Sequence, residues 1–106
     1  MANTYKNAKL DLTTTNVTVL YTAASLTTGI VKSIIVSEDS GNADTITITL
    51  TNGSTVYSLF KTKAVGANAT VELLTAPLVI QPTEILKVTA TTANRLHVVA
   101  SILEIT

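Results

Sequence analysis

Cysteine and tryptophan are absent from the 106 residues, and His97 is the single histidine. Without thiols there is no disulfide, no thiolate metal centre and no cysteine nucleophile. One imidazole cannot build a histidine zinc or iron site within one chain. Charge is scarce too: Asp, Glu, Lys and Arg make up 13% of the chain, with seven acidic residues balancing seven basic ones. Globular proteins average about 25%. A neutral, charge-poor chain lacks the basic footprint that phosphate-backbone binding requires, so no nucleic-acid partner is expected. Long apolar runs are missing. The longest, such as Ile34-Ile35-Val36, are strand-sized and far below the roughly 20 residues of a membrane helix. The opening Met1-Ala2-Asn3-Thr4-Tyr5-Lys6-Asn7 has no basic-then-apolar signal pattern. A soluble product made in the cytoplasm, with no membrane partner, is expected.

What is abundant is β-branched. Thr, Val and Ile supply 41 of the 106 residues, and such side chains are stiff at χ1 and suit a pleated, half-buried surface. Six Lys, one Arg, four Glu and one Gln are too few to clothe helices. With 46% hydrophobic residues the chain is not disordered. Its length suits one domain of about 100 residues with one core. The class is all-β.

Period-two alternation is clearest from Asp44 to Leu50, where Ile46, Ile48 and Leu50 oppose Thr45, Thr47 and Thr49. Asn52-Gly53 then predicts a two-residue hairpin turn, since both types tolerate φ > 0. The return strand reads from Thr55 to Phe60. The same reading gives strands at 8–12, 17–21, 29–37, 69–74, 78–80, 85–91 and 96–105. Residues 29–37 are apolar on both faces, with Ile30, Ile34 and Val36 set against Val31 and Ile35. Seven or eight strands with turns between them predict a single-domain antiparallel β-sandwich, jelly-roll or immunoglobulin-like, over residues 8–106. Residues 1–7 read as an N-terminal arm, frayed or ordered by a neighbour.

Little chemistry is on offer. His97 stands between Leu96 and Val98 on a strand, as a structural or surface histidine does. No G-x-S-x-G turn accompanies it, and no triad is expected. The four glycines form no phosphate loop. The acidic run Glu38-Asp39-Ser40-Gly41-Asn42-Ala43-Asp44 carries hard oxygen ligands of the kind calcium takes. It lacks the EF-hand spacing, however, and reads as a solvated turn. Glu72, Glu84 and Glu104 are far apart, with no pair marked for acid–base work. The aromatics Tyr5, Tyr21, Tyr57 and Phe60 give no adjacent platform for a sugar ring. The protein is therefore expected not to be an enzyme and to carry no metal or cofactor.

One strand has too much apolar surface. Leu96, Val98, Ala100 and Ile102 make one face of the last strand, and His97, Val99, Ser101, Leu103 and Ile105 make the other. Two apolar faces imply either a central strand or a covered interface. The candidate interface comprises Leu10 and Leu12 of the first strand with Val99, Leu103 and Ile105 of the last.

Leu20-Tyr21-Thr22-Ala23, then Thr28 to Val36, then Thr45-Ile46-Thr47-Ile48, together with the ending Leu96 to Ile105, resembles small structural virion proteins of tailed bacteriophages. The resemblance spans most of the chain and rests on structural rather than chemical motifs. It implies a β-sandwich subunit of a virion, most closely a capsid decoration or cement protein. A neck or tail component, or a glycan-binding adhesin module, are the alternatives. The implied partners are the major capsid protein or neck and tail proteins, and further copies of the chain. A trimer is expected by analogy with capsid accessory proteins.

Overall fold

The structure is a computed structural model and describes residues 2–106, so Met1 of the expected arm lies outside the described residues. The Thr-, Val- and Ile-rich segments form nine strands among these residues, and no helix: β1 (Asn3–Asp11), β2 (Thr18–Thr22), β3 (Thr28–Glu38), β4 (Asp44–Asn52), β5 (Thr55–Val65), β6 (Thr70–Glu72), β7 (Leu78–Ile80), β8 (Ile85–Ala90) and β9 (Leu96–Ile105). All pairings are antiparallel. One sheet runs β1-β9-β3-β6, with β7 also on β3, and the other runs β2-β8-β4-β5. The two sheets make the β-sandwich expected from the alternation.

The core lies between them. Val31, Ile34 and Val36 of β3 and Leu96, Val98, Ala100 and Ile102 of β9 face Ile46 and Ile48 of β4 and Leu86, Val88 and Ala90 of β8, all essentially sequestered from solvent. A buried aliphatic side chain of this kind contributes about 1.5–3 kcal/mol through removal from water. Only one face of β4 and β8 is apolar, so Thr45, Thr47, Thr49 and Thr89 take the outer face.

Three local expectations change. The first strand begins at Asn3 rather than Ala8, because Asn3 to Asn7 pair with Ile105 to Ser101. The polar side chains that suggested an arm belong to an edge strand, where both strand and solvent are satisfied. The hairpin turn is Gly53-Ser54, closed by the Asn52–Thr55 pair. Gly53 alone has positive φ, at 61°, which is the type II′ pattern with glycine first rather than the Asn-Gly type I′. Finally, β3 carries a bulge between Val31 and Ser33. One extra residue, Lys32, inverts the alternation, so Val31 joins Ile34 and Val36 inside while Ile30 and Ile35 face out.

Candidate interaction surface

The outer face of the five-stranded sheet is built by cross-strand pairs, which set side chains of adjacent strands side by side on one face. Tyr5 pairs with Leu103, Leu103 with Ile30 and Ile30 with Val79, giving one apolar row across β1, β9, β3 and β7. A second row runs Lys9, Val99, Ile35 and Glu72. Between the rows lie Asn7, Ser101 and Ser33, with Lys32 beside them. Tyr5 is 75% exposed, Val79 50%, and Val99 and Ile35 39% each. Leu103 and Ile105 are partly exposed.

Of the five expected interface residues, the structure thus brings Val99, Leu103 and Ile105 to this face. Leu10 and Leu12 point the other way. Leu12 is buried in the core and Leu10 packs against it, because even-numbered residues of β1 oppose even-numbered residues of β9, whose side chains point inward. Tyr5, Ile30, Ile35 and Val79 complete the face and were missed. The signal for Ile30 and Ile35 was present in the two-sided apolar pattern of residues 29–37, but the bulge hid which residues went together.

At one end of the face, His97 stands between two carboxylates, with Nε2 3.1 Å from Asp11 Oδ1 and Nδ1 3.6 Å from Asp39 Oδ2. It is a surface histidine tying β1, β9 and the β3–β4 turn. Among the described residues no group of three or more His, Asp and Glu could hold a metal ion.

The buried carboxylates are structural. Glu38 is 2% exposed and accepts hydrogen bonds from the Ser40 hydroxyl and from the N–H groups of Ser40, Gly41 and Asn68. It fastens the β3–β4 turn to the β5–β6 turn. Burial works against its charge, yet the donors outweigh it and hold its pKa at about 2. The acidic run is thus a hydrogen-bonded turn. Glu84 likewise accepts from Gln81 N–H at 2.7 Å and from the Asn52 side chain at 2.9 Å. Glu104 spans the sheets, accepting the Tyr21 hydroxyl at 2.6 Å, with Lys6 3.8 Å away. Burial, then the hydrogen bond and charge of Glu104, push the Tyr21 phenol well above its ordinary value.

One concave feature stands apart from the sheet face. An apolar hollow of about 350 Å³ opens between β5 and the β6–β7 connection, lined by Leu59, Phe60, Leu73, Leu74, Pro77 and Leu78 among others. None of its lining groups is ionisable. The exposed rings Tyr5 and Tyr57 stand on different sheets, so they form no joint sugar platform. No protein-family model matches the chain, and no curated protein is significantly similar to it.

Proposed function

We propose that the protein is a structural subunit of a tailed-phage particle, most closely a capsid decoration or cement subunit. It is made in the host cytoplasm, incorporated into the virion and works as a homo-oligomer beside the major capsid protein. The observation that carries this reading is the outer face of the five-stranded sheet. There Leu103 with Ile30 and Val99 with Ile35 form two apolar rows, with Asn7, Ser33 and Ser101 between them and Lys9, Lys32 and Glu72 as the charged residues beside them. Contiguous exposed apolar patches mark interaction sites. The near absence of net charge favours it further, because copies crowded on a shell do not repel one another at long range. The carboxylates of Glu38 and Glu84 tie turns together and that of Glu104 ties the two sheets, as a load-carrying subunit needs. The resemblance to phage virion proteins points the same way.

The test is to separate purified particles into shells and tails and to identify the chain in each by mass spectrometry. The expected result is a stoichiometric signal in the shell fraction. A signal confined to tails would move the subunit there, overturning the decoration role. Absence from particles would overturn the virion reading altogether.

A further inference from the structure

Strand β1 is an edge. One side pairs with β9 over nine residues with no break in register, and among the described residues no strand pairs with the other side. Hydrogen-bond parity shows which groups face outward. The N–H and C=O of Ala2 both bond to Thr106, and the Leu12 N–H bonds to the Leu96 carbonyl. In an antiparallel ladder, successive residues alternate between bonding inward and outward. The even-numbered residues of β1 therefore serve β9, and Asn3, Tyr5, Asn7, Lys9 and Asp11 aim their backbone groups away from the sheet. Of these groups only the Asp11 carbonyl has a backbone partner, the Thr13 N–H at 3.0 Å. All five residues are exposed.

The other edges are guarded in the ways edges usually are. Strand β5 has two register breaks, a left-handed Thr62 at φ 50°, and Lys61 and Lys63 beside it. Strand β2 has five residues and a bulge. Strands β6 and β7 have three residues each. Strand β1 is long and regular, with neither bulge nor proline; it carries Lys6 and Lys9, and the Lys6 ammonium is drawn to Glu104.

We propose that β1 pairs antiparallel with β1 of a second copy, about a two-fold axis at Asn7, joining two five-stranded sheets into one. Outward-bonding residues must oppose outward-bonding residues, and the register centred on Asn7 is the one that uses the whole strand. Asn7 then opposes Asn7 on the axis, while the Tyr5–Lys9 and Asn3–Asp11 contacts each occur twice, in the isologous manner of a two-fold interface. No like charges stand opposite each other, and the Tyr5 ring lies within reach of the opposing ammonium. Sliding the centre to Lys9 would oppose lysine to lysine and leave half the strand unpaired. On the other face of the strand Lys6 opposes Ala8, its charge already answered by Glu104. The pairing follows from the strand alone and stands whether or not the chain resides in a virion.

Asn7→Pro tests it cleanly. The Asn7 N–H is not used within the chain, and proline is tolerated on an edge strand where its nitrogen faces solvent. The sandwich should therefore keep its far-UV spectrum while the two central intermolecular hydrogen bonds are lost. Sedimentation of the full chain up to millimolar concentration should show a dimer, weakened about 10–100-fold by Asn7→Pro. In the unaltered protein, hydrogen exchange should show the amides of Tyr5, Asn7 and Lys9 becoming protected as concentration rises. A chain that stays monomeric with those amides unprotected would overturn the proposal. So would a dimer that Asn7→Pro leaves intact. If Asn7→Pro does not fold, the exchange pattern of the unaltered protein decides alone.

Discussion

Adding one methyl group at Gly29 should damage this protein more than its size suggests. Gly29 sits in β3 under the ring of Tyr21, which reaches across from the opposite sheet. A Cβ built on Gly29 would lie 2.7 Å from both Tyr21 Cε2 and the hydroxyl oxygen, and 3.0 Å from Cζ. Carbon atoms prefer about 3.5–4.0 Å, so the ring must retreat by about 1 Å. It has little freedom to do so, being 5% exposed and tied to Glu104 at 2.6 Å. Overpacking of a core typically costs about 1–3 kcal/mol, and a hydrogen bond to a charged group contributes about 1.5–3 kcal/mol. The two losses overlap, since the same ring movement causes both. Gly29→Ala is therefore expected to cost about 2–4 kcal/mol in urea unfolding, at roughly 4–8 °C of Tm per kcal/mol. Tyr21→Phe removes the hydroxyl clash and the hydrogen bond in advance, so Gly29→Ala should cost about 1–2 kcal/mol less in that background. Gly66→Ala is the control: its new Cβ would meet only Ala69 Cβ at 3.7 Å. A Gly29→Ala protein within about 0.5 kcal/mol of the original, or an equal cost in both backgrounds, would refute the close-approach argument.

Other substitutions probe the turn, the core and a buried acid. Gly53→Val places a β-branched residue at a φ of 61° and should lower stability by about 1–3 kcal/mol in thermal melts, whereas Gly53→Asn should be tolerated. Ile48→Ala at a fully buried position should cost about 2–5 kcal/mol, while Val99→Ala, at 39% exposure, should cost less than about 1 kcal/mol. Glu38 has a pKa of about 2 in the fold against an ordinary 4.5. Its contribution is thus complete above pH 4.5 and drains away as pH falls from 4.5 toward 2. Glu38→Gln should be less stable at neutral pH and show a shallower decline across that window in denaturation curves taken at several pH values.

Much of the fold was legible because period-two alternation survives wherever one face is buried. Residues 44–50 and 85–91 read correctly for that reason. The arm was misread because an edge strand with polar residues on it carries little alternation: Asn3 to Asn7 are fixed by hydrogen bonds to β9 rather than by burial. The bulge at Lys32 was invisible, since a single inserted residue leaves composition unchanged while exchanging the faces of everything beyond it. It also explains why the candidate surface was only partly found. Val99, Leu103 and Ile105 could be read from β9 alone, but Ile30 and Ile35 needed the bulge. Leu10 and Leu12 needed the pairing register that turns them inward. Glu38 looked like part of a loose acidic turn because the backbone donors of Ser40, Gly41 and Asn68 leave no trace in side-chain identity.

The claim that this sandwich is a subunit of the phage shell is met most directly by cryo-electron microscopy of purified particles at a resolution that traces strands. The account predicts density for the nine-stranded sandwich, repeated over the shell, with the face carrying Val99, Leu103, Ile30 and Ile35 covered by a neighbouring subunit. A fully traced particle with no such sandwich on its shell, or one in which that face looks out to solvent, would contradict it.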